Sequence, residues 1–304
     1  MIELDKLATE QRNPKSAHID TVSTLELAQI INDEDQHVAL AIQPIVPDIA
    51  KAIDVITDRF RRGGRLFYVG SGTSGRLGIL DAVECPPTYG TDPAMIQGII
   101  AGGYNAVFTA QEGAEDAEKV GKDDLARHVI TEPDIVVGLS ASGRTPYVCG
   151  ALQHARTCGA ATIAVDCSPH SAIGALADID LCAPVGPEVV TGSTRMKAGT
   201  AQKMILNMLS TGAMIKLGKV YGNLMVDVKS SNKKLTERAR RIVMTVTDCT
   251  PRQADIALSA CEGNAKTAIV MLLRDCSAED ASRLLHRANG YISQALQEDF
   301  HETK

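Results

Sequence analysis

RLFYVGSGTSGRLG, residues 65–78, passes from an apolar run through glycines and hydroxyls into a second apolar pattern with helical spacing. It predicts a strand over 66–70, a tight turn and a helix, which is one unit of an α/β fold. Gly70, Gly72 and Gly75 match the G-x-G-x-x-G of dinucleotide loops, in which an acidic residue about 20 positions on holds the ribose. That acid is missing: MIQGIIAGGYN (95–105), the next strand and its exit, contains neither Asp nor Glu. Ser71, Thr73 and Ser74 fill the spaces between the glycines instead. Backbone amides at a helix start, with Gly72 among them and hydroxyl donors alongside, suit a single phosphate dianion.

The pattern recurs downstream. VGLSASGR (137–144) aligns without gaps to VGSGTSGR (69–76) and agrees at five of eight positions. Each copy follows an apolar run and precedes a helix pattern, which predicts two equivalent loops at one edge of one sheet. Ser140, Ser142, Gly143 and Thr145 supply the donors of the second loop, in the crevice where open parallel sheets bind ligands. A hydroxyl cap on an ordinary strand-to-helix turn explains either loop alone. Two such loops facing one crevice point to a phosphate with sugar hydroxyls beyond it.

Short apolar strands at 95–102, 134–140, 162–167 and 178–184 alternate with helices at 74–84, 114–130 and near 146–158, the first ended by Pro86 and Pro87. The fold class expected is α/β, a doubly wound parallel sheet with helices on both faces. Helices and connections fill the first sixty residues. Long helices are expected over 198–217 and 231–247, followed by a small C-terminal helical bundle of three helices, broken at Gly263 and near Ser277. A boundary at Cys249-Thr250-Pro251 separates residues 1–250 from residues 251–304.

The 304 residues, 44% of them hydrophobic, are enough for a sizeable core. No apolar run approaches the roughly 20 residues of a membrane helix, and the polar N-terminal stretch lacks the apolar segment of a secretory signal. A cytoplasmic chain with no membrane partner is expected. A formal net charge of −6, scattered Lys and Arg, and 3% aromatics without Trp argue against nucleic acid. The eight cysteines contain no C-x-x-C pair and read as buried reduced thiols, and the seven histidines show no metal spacing, so no metal is assigned.

GPEVVTGSTRMKAGTAQK, residues 186–203, narrows the reading. With TEQRNPKSAHID (9–20), VECPP (83–87) and AQEGAEDA (110–117), it resembles the bacterial N-acetylmuramic acid 6-phosphate etherases. These share a sugar isomerase domain with phosphosugar isomerases, and the 186–203 signature with the glucokinase regulatory protein. The resemblance covers nearly the whole chain. The regulator is much longer and carries two such domains, whereas this chain has room for one.

The resemblance implies removal of D-lactate from N-acetylmuramic acid 6-phosphate, giving N-acetylglucosamine 6-phosphate in cell-wall sugar recycling. In the open-chain sugar the C2 proton adjoins an aldehyde, and lactate occupies the β position. Elimination and rehydration then need a base at C2, an acid for the lactate oxygen and a base for water, with no cofactor. The resemblance points to Glu84 as the acid and base that serves lactate, and to Glu115 as its partner at C2 or on water. Read without it, Glu115 belongs to an acidic helix opening and Glu84 to a plain helix end.

Ser193, Thr194, Arg195 and Lys197 precede a long helix and either approach the ligand or cap that helix. Asn232 and Lys234 resemble a polar step in the family's C-terminal helix, where Lys would meet phosphate or the lactyl carboxylate; a solvated helix face explains the lysines equally well. Ten helical residues put Glu84 about 15 Å from Ser74 along the axis. Either that helix bends or ends early, or Glu84 completes a site in a neighbouring subunit, and a homodimer with its active site near the interface is expected. An aldose-ketose isomerase and a non-catalytic sugar-phosphate sensor are the competing functions. The terminal bundle resembles a ubiquitin-associated three-helix fold, with a role in dimer or lid packing.

Overall fold

The computed structural model describes residues 8–228 and 233–298. Packing separates two compact units, Met1–Val83 with Ala94–Ser210, and Glu84–Pro93 with Thr211–Lys304. In the first unit, helices α1 (Thr24–Asp35), α2 (His37–Ile42) and α3 (Val46–Arg61) precede β1 (Leu66–Gly70). Then follow α4 (Gly72–Tyr89), β2 (Ile96–Ile100), α5 (Tyr104–Phe108), α6 (Glu118–Ala126), β3 (Ile135–Leu139), α7 (Pro146–Thr157), β4 (Ala161–Asp166), α8 (Ala172–Leu176), β5 (Ile179–Cys182) and α9 (Lys197–Lys216), the ends of α4 from Glu84 and of α9 from Thr211 being counted with the second unit.

The five strands are parallel, in the order β2-β1-β3-β4-β5. All residues of β1, β3 and β4 are buried, as continuous Val/Ile/Leu-rich runs between two helical layers should be. On one face Phe67, Val69 and Val136 pack with Val148 and Leu152 of α7. On the other, the Tyr68 hydroxyl donates to Asp81 of α4 at 2.8 Å. The expected doubly wound α/β sheet is the fold observed.

Three details differ from the sequence reading. Helix α4 does not end before Pro86 and Pro87 but contains both, and closes when Gly90, at φ +65°, donates its N–H to the Pro86 carbonyl at 3.0 Å. Proline already holds a helical φ, and in the last turn only two amide donors are lost. The helix expected over 114–130 is broken: Ala114–Asp116 forms a 3-10 turn, Ala117 leaves helical geometry (φ −97°, ψ 89°), and α6 starts at Glu118. Five of the eight cysteines, Cys149, Cys158, Cys182, Cys249 and Cys276, are half-buried; Cys85, Cys167 and Cys261 are buried, and all eight are free.

The second unit includes a short antiparallel pair, β6 (Val220–Tyr221) and β7 (Leu224–Met225), that carries too few residues to read from sequence. Helix α10 (Lys233–Thr247) precedes α11 (Pro251–Ala260), α12 (Ala265–Arg274), α13 (Ala278–Arg287) and a single turn, α14 (Ile292–Ala295). Thr250, Asn264 and Ser277 accept hydrogen bonds from backbone amides at the starts of α11, α12 and α13. Ala239, Ile242, Val243, Ala257, Ile269 and Leu284 share one core, so α10 packs with the terminal helices.

Candidate functional site

The strand order changes direction between β1 and β3, and ligands of open parallel sheets bind outside the carboxyl ends of strands at such a switch point. Register pairs Gly70 with Leu139, so Ser71 and Ser140 follow the sheet at the same level. A cavity of about 550 Å³ lies there, lined by Ser71, Gly72, Thr73, Ser74, Ser140, Ser142 and Thr145 among others. Seven of the expected binding residues are therefore brought together.

The two loops are not equivalent. Helix α4 begins one residue after Ser71, whereas residues 140–145 make a longer turn before α7 begins at Pro146. The sequence echo pairs Gly70 with Gly138, one position away from the register in the sheet. Gly70 and Gly75 serve close packing: a Cβ on Gly75 would stand 2.8 Å from the Gly70 carbonyl oxygen. Gly72 makes the turn itself, at φ +51°.

The hydroxyls are already oriented. Ser140 shares a hydrogen bond of 2.7 Å with Thr145 and one of 3.4 Å with Ser142. Ser74 donates to Gln202 of α9 at 2.8 Å, and Ser71 donates to Glu115 at 2.8 Å. Two helix N-termini, of α4 and α7, add amide donors and a positive potential. Such a cradle can hold a dianion.

Carboxylates border the same cavity. Glu115 and Asp116, on the 3-10 turn, both reach the cavity, as does Glu10. Arg144 is the cation in the lining and makes no ion pair among the described residues. A phosphate seat beside exposed carboxylates can bind a phosphorylated ligand and move a proton on its carbon or oxygen atoms.

The other expected residues lie as follows. Glu84 is exposed on α4, ten residues beyond Ser74 in an unbroken helix, so that helix does not end early. Leu80, 47% exposed, stands four residues before it on the same face, and Val83, 58% exposed, adjoins it in sequence. Ser193 is half-buried and its amide donates to the Val190 carbonyl at 3.0 Å, whereas its neighbours Gly192 and Thr194 line the cavity. Lys197 is buried and ion-paired to Glu34 of α1, while its amide and that of Ala198 donate to Glu188 at 3.0 and 2.9 Å. Its role is therefore structural. Lys234 is exposed in the first turn of α10, and Asn232 lies outside the described residues.

Thr9, Glu10, Asp116 and Arg144 were passed over by the sequence reading. TEQRNPKS and SGRT are conspicuous polar stretches, yet neither has a spacing that names a ligand. A further buried acid sits on the inner face of α4. Asp81 accepts from Tyr68 and from Ser210 (3.1 Å), and burial pushes its carboxyl up to about 6 against those bonds and the Lys203 charge.

Family models match in two overlapping stretches: the glucokinase regulatory protein N-terminal SIS domain over residues 48–156, and the SIS domain over 106–212. A solved structure from Bacteroides fragilis NCTC 9343, named as a phosphosugar isomerase involved in capsule formation, superposes with a TM-score of 0.50 at 20% identity. It covers 64% of this chain and 91% of that one, a likeness of fold. Relatives named N-acetylmuramic acid 6-phosphate etherase are far closer in sequence. That of Photobacterium profundum is 54% identical over 97% of this chain and 98% of its own length; that of Escherichia coli O1:K1 is 54% identical over 98% and 100%. A second Vibrio parahaemolyticus etherase is 56% identical over 97% and 98%. With this identity along almost the full length and a SIS fold beneath it, the chain belongs to the N-acetylmuramic acid 6-phosphate etherase family.

Proposed function

We propose that the chain cleaves the D-lactyl ether of N-acetylmuramic acid 6-phosphate, releasing D-lactate and N-acetylglucosamine 6-phosphate. The phosphate occupies the cradle at the starts of α4 and α7. Within the site, the observation that supports this most is the hydrogen bond from Ser71 to Glu115, which joins a hydroxyl of the first loop to a carboxylate at the cavity wall.

In the ring-opened sugar a carboxylate removes the C2 proton, and the electrons enter the aldehyde as an enolate. The C3–O bond then breaks as lactate departs with a proton from a second acid, leaving an unsaturated aldehyde. Water adds at C3, giving up a proton to a carboxylate, and C2 regains a proton. Glu115 acts at C2 or on water, with Asp116 beside it on the same turn, and Glu84 is the acid and base that protonates lactate. Ser193, Asn232 and Lys234 complete the expected binding set, and neither metal nor redox cofactor takes part.

A homodimer with its site near the interface accounts for Glu84. The exposed surface that carries Leu80, Val83 and Glu84 is suited to cover by a second copy, which would also desolvate the carboxylate. The terminal bundle has a role in dimer or lid packing. We assign the chain to the cytoplasm; no single helix among the described residues is long and apolar enough to cross a membrane.

Incubation with N-acetylmuramic acid 6-phosphate in deuterated water, followed by NMR, tests the reading. Free D-lactate with deuterium at C2 of the product is expected. Bound, unchanged sugar would point to a sensor, and a ketose product to an isomerase.

A further inference from the structure

Two hydroxyls of the chain, those of Thr9 and Thr91, are buried without a hydrogen-bond partner among the described residues. An orphaned hydroxyl is costly, and natural structures keep few of them. Thr9 is 4% exposed and lines the phosphate-loop cavity.

Polar residues that follow it in the chain are bonded. Asn13 accepts from the Lys15 amide at 2.9 Å and donates to Glu34 at 2.7 Å and to the Pro187 carbonyl at 3.2 Å. Ser16 donates to the Val189 carbonyl at 2.8 Å. Glu34 in turn binds Lys15 at 2.9 Å and the buried Lys197 at the start of α9. The segment 13–16 is thus pinned to 187–189, and the Ala8–Glu10 turn lies only a few residues from the pin. That anchorage holds Thr9 at the cavity while its own hydroxyl stays unused.

The structure assigns Thr9 as a substrate-binding residue, whose hydroxyl bonds a neutral polar group on the sugar part of the bound phosphosugar. Glu10, adjacent and also in the lining, repels a dianion, so this wall suits sugar hydroxyl or amide groups rather than phosphate. The assignment rests on the phosphosugar reading of the cavity.

Calorimetric titration with N-acetylglucosamine 6-phosphate, which is not consumed, and separately with inorganic phosphate tests it. Thr9→Val should weaken sugar-phosphate binding about tenfold, leave phosphate binding unchanged and leave the melting temperature of the free protein unchanged or raised, while Thr9→Ser keeps affinity within about twofold. A Thr9→Val chain that binds the sugar phosphate like wild type overturns the assignment. So does one that melts earlier or fails to fold while Thr9→Ser does not, because the hydroxyl would then be structural. If wild type releases no lactate from N-acetylmuramic acid 6-phosphate, the etherase reading fails while the titrations still decide Thr9. Wild type that binds no sugar phosphate overturns both.

Discussion

Glu115 and Asp116 are consecutive on a 3-10 turn, yet both border the cavity, and only Glu115 accepts from Ser71. Substituting each in turn separates their roles. Loss of a general base removes about 10²–10⁴-fold of rate, so whichever of Glu115→Gln and Asp116→Asn acts at C2 should lose both turnover and C2 deuterium exchange by that order. Glu84→Gln should lose turnover alone and still exchange deuterium, because the proton leaves C2 before lactate departs. Exchange abolished by Glu84→Gln but intact in both other variants would reverse the assignment. Asp81 offers a pH test. Its folded value of about 6 exceeds the ordinary 3.8, so between those values the native state holds a proton that the unfolded chain has released. Its contribution to stability therefore falls, by about 2–3 kcal/mol, as pH rises from about 4 to 6. Thermal unfolding across that window should show a flatter pH dependence in Asp81→Asn than in wild type, and equal slopes would refute the shift.

At the scale of elements, the start of α9 depends on groups far away in sequence. Glu188 accepts its first amides, and Lys197 is neutralised by Glu34, 163 residues away. Burial alone would raise the Glu34 carboxyl, but hydrogen bonds from Lys197, Lys15 and Asn13 outweigh it and hold the group near about 2. Its stabilisation is therefore present above pH 4.5 and lost as pH falls toward 2, opposite in sign to Asp81. Removing one member of a buried ion pair strands the other, at about 3–5 kcal/mol. Glu34→Gln should lower the unfolding free energy by an amount of that order, measured by denaturant titration. Pairing it with Lys197→Met should restore much of the loss; a second substitution that simply adds to the first would show that the two groups are not coupled.

At the scale of the whole molecule, the proposed function requires Glu84 to meet a substrate proposed to sit beside Ser71, Ser74 and Ser140. If a partner chain supplies Glu84, each site of a Glu84→Gln and Glu115→Gln heterodimer differs from its twin: one is intact and the other carries both substitutions. Mixed and re-equilibrated, the two inactive variants should recover about a quarter of wild-type activity, from half the dimers carrying one intact site of two. No recovery, with heterodimers verified by mass, would place both glutamates of a site on one chain.

The apolar runs of β1, β3 and β4 and the hydroxyl-glycine turns after β1 and β3 were legible because local physics suffices: buried parallel strands must be continuously apolar, and anion seats at helix starts need glycine and hydroxyls. The alternation of strand and helix therefore determined the fold class and marked the end of the sheet where the candidate site lies. Resemblance, rather than periodicity, named the family and singled out Glu84 and Glu115. Proline and acid-rich stretches misled at the ends of α4 and α6, where continuation or breakage is decided by the last turn and by Ala117, and no period encodes either. Only the tertiary structure brought Thr9, Glu10 and Arg144 to the cavity and took Lys197 away from it. These placements hinge on contacts between residues far apart in sequence, and a single chain of letters carries no periodic signal for a hydrogen bond between residue 16 and residue 189.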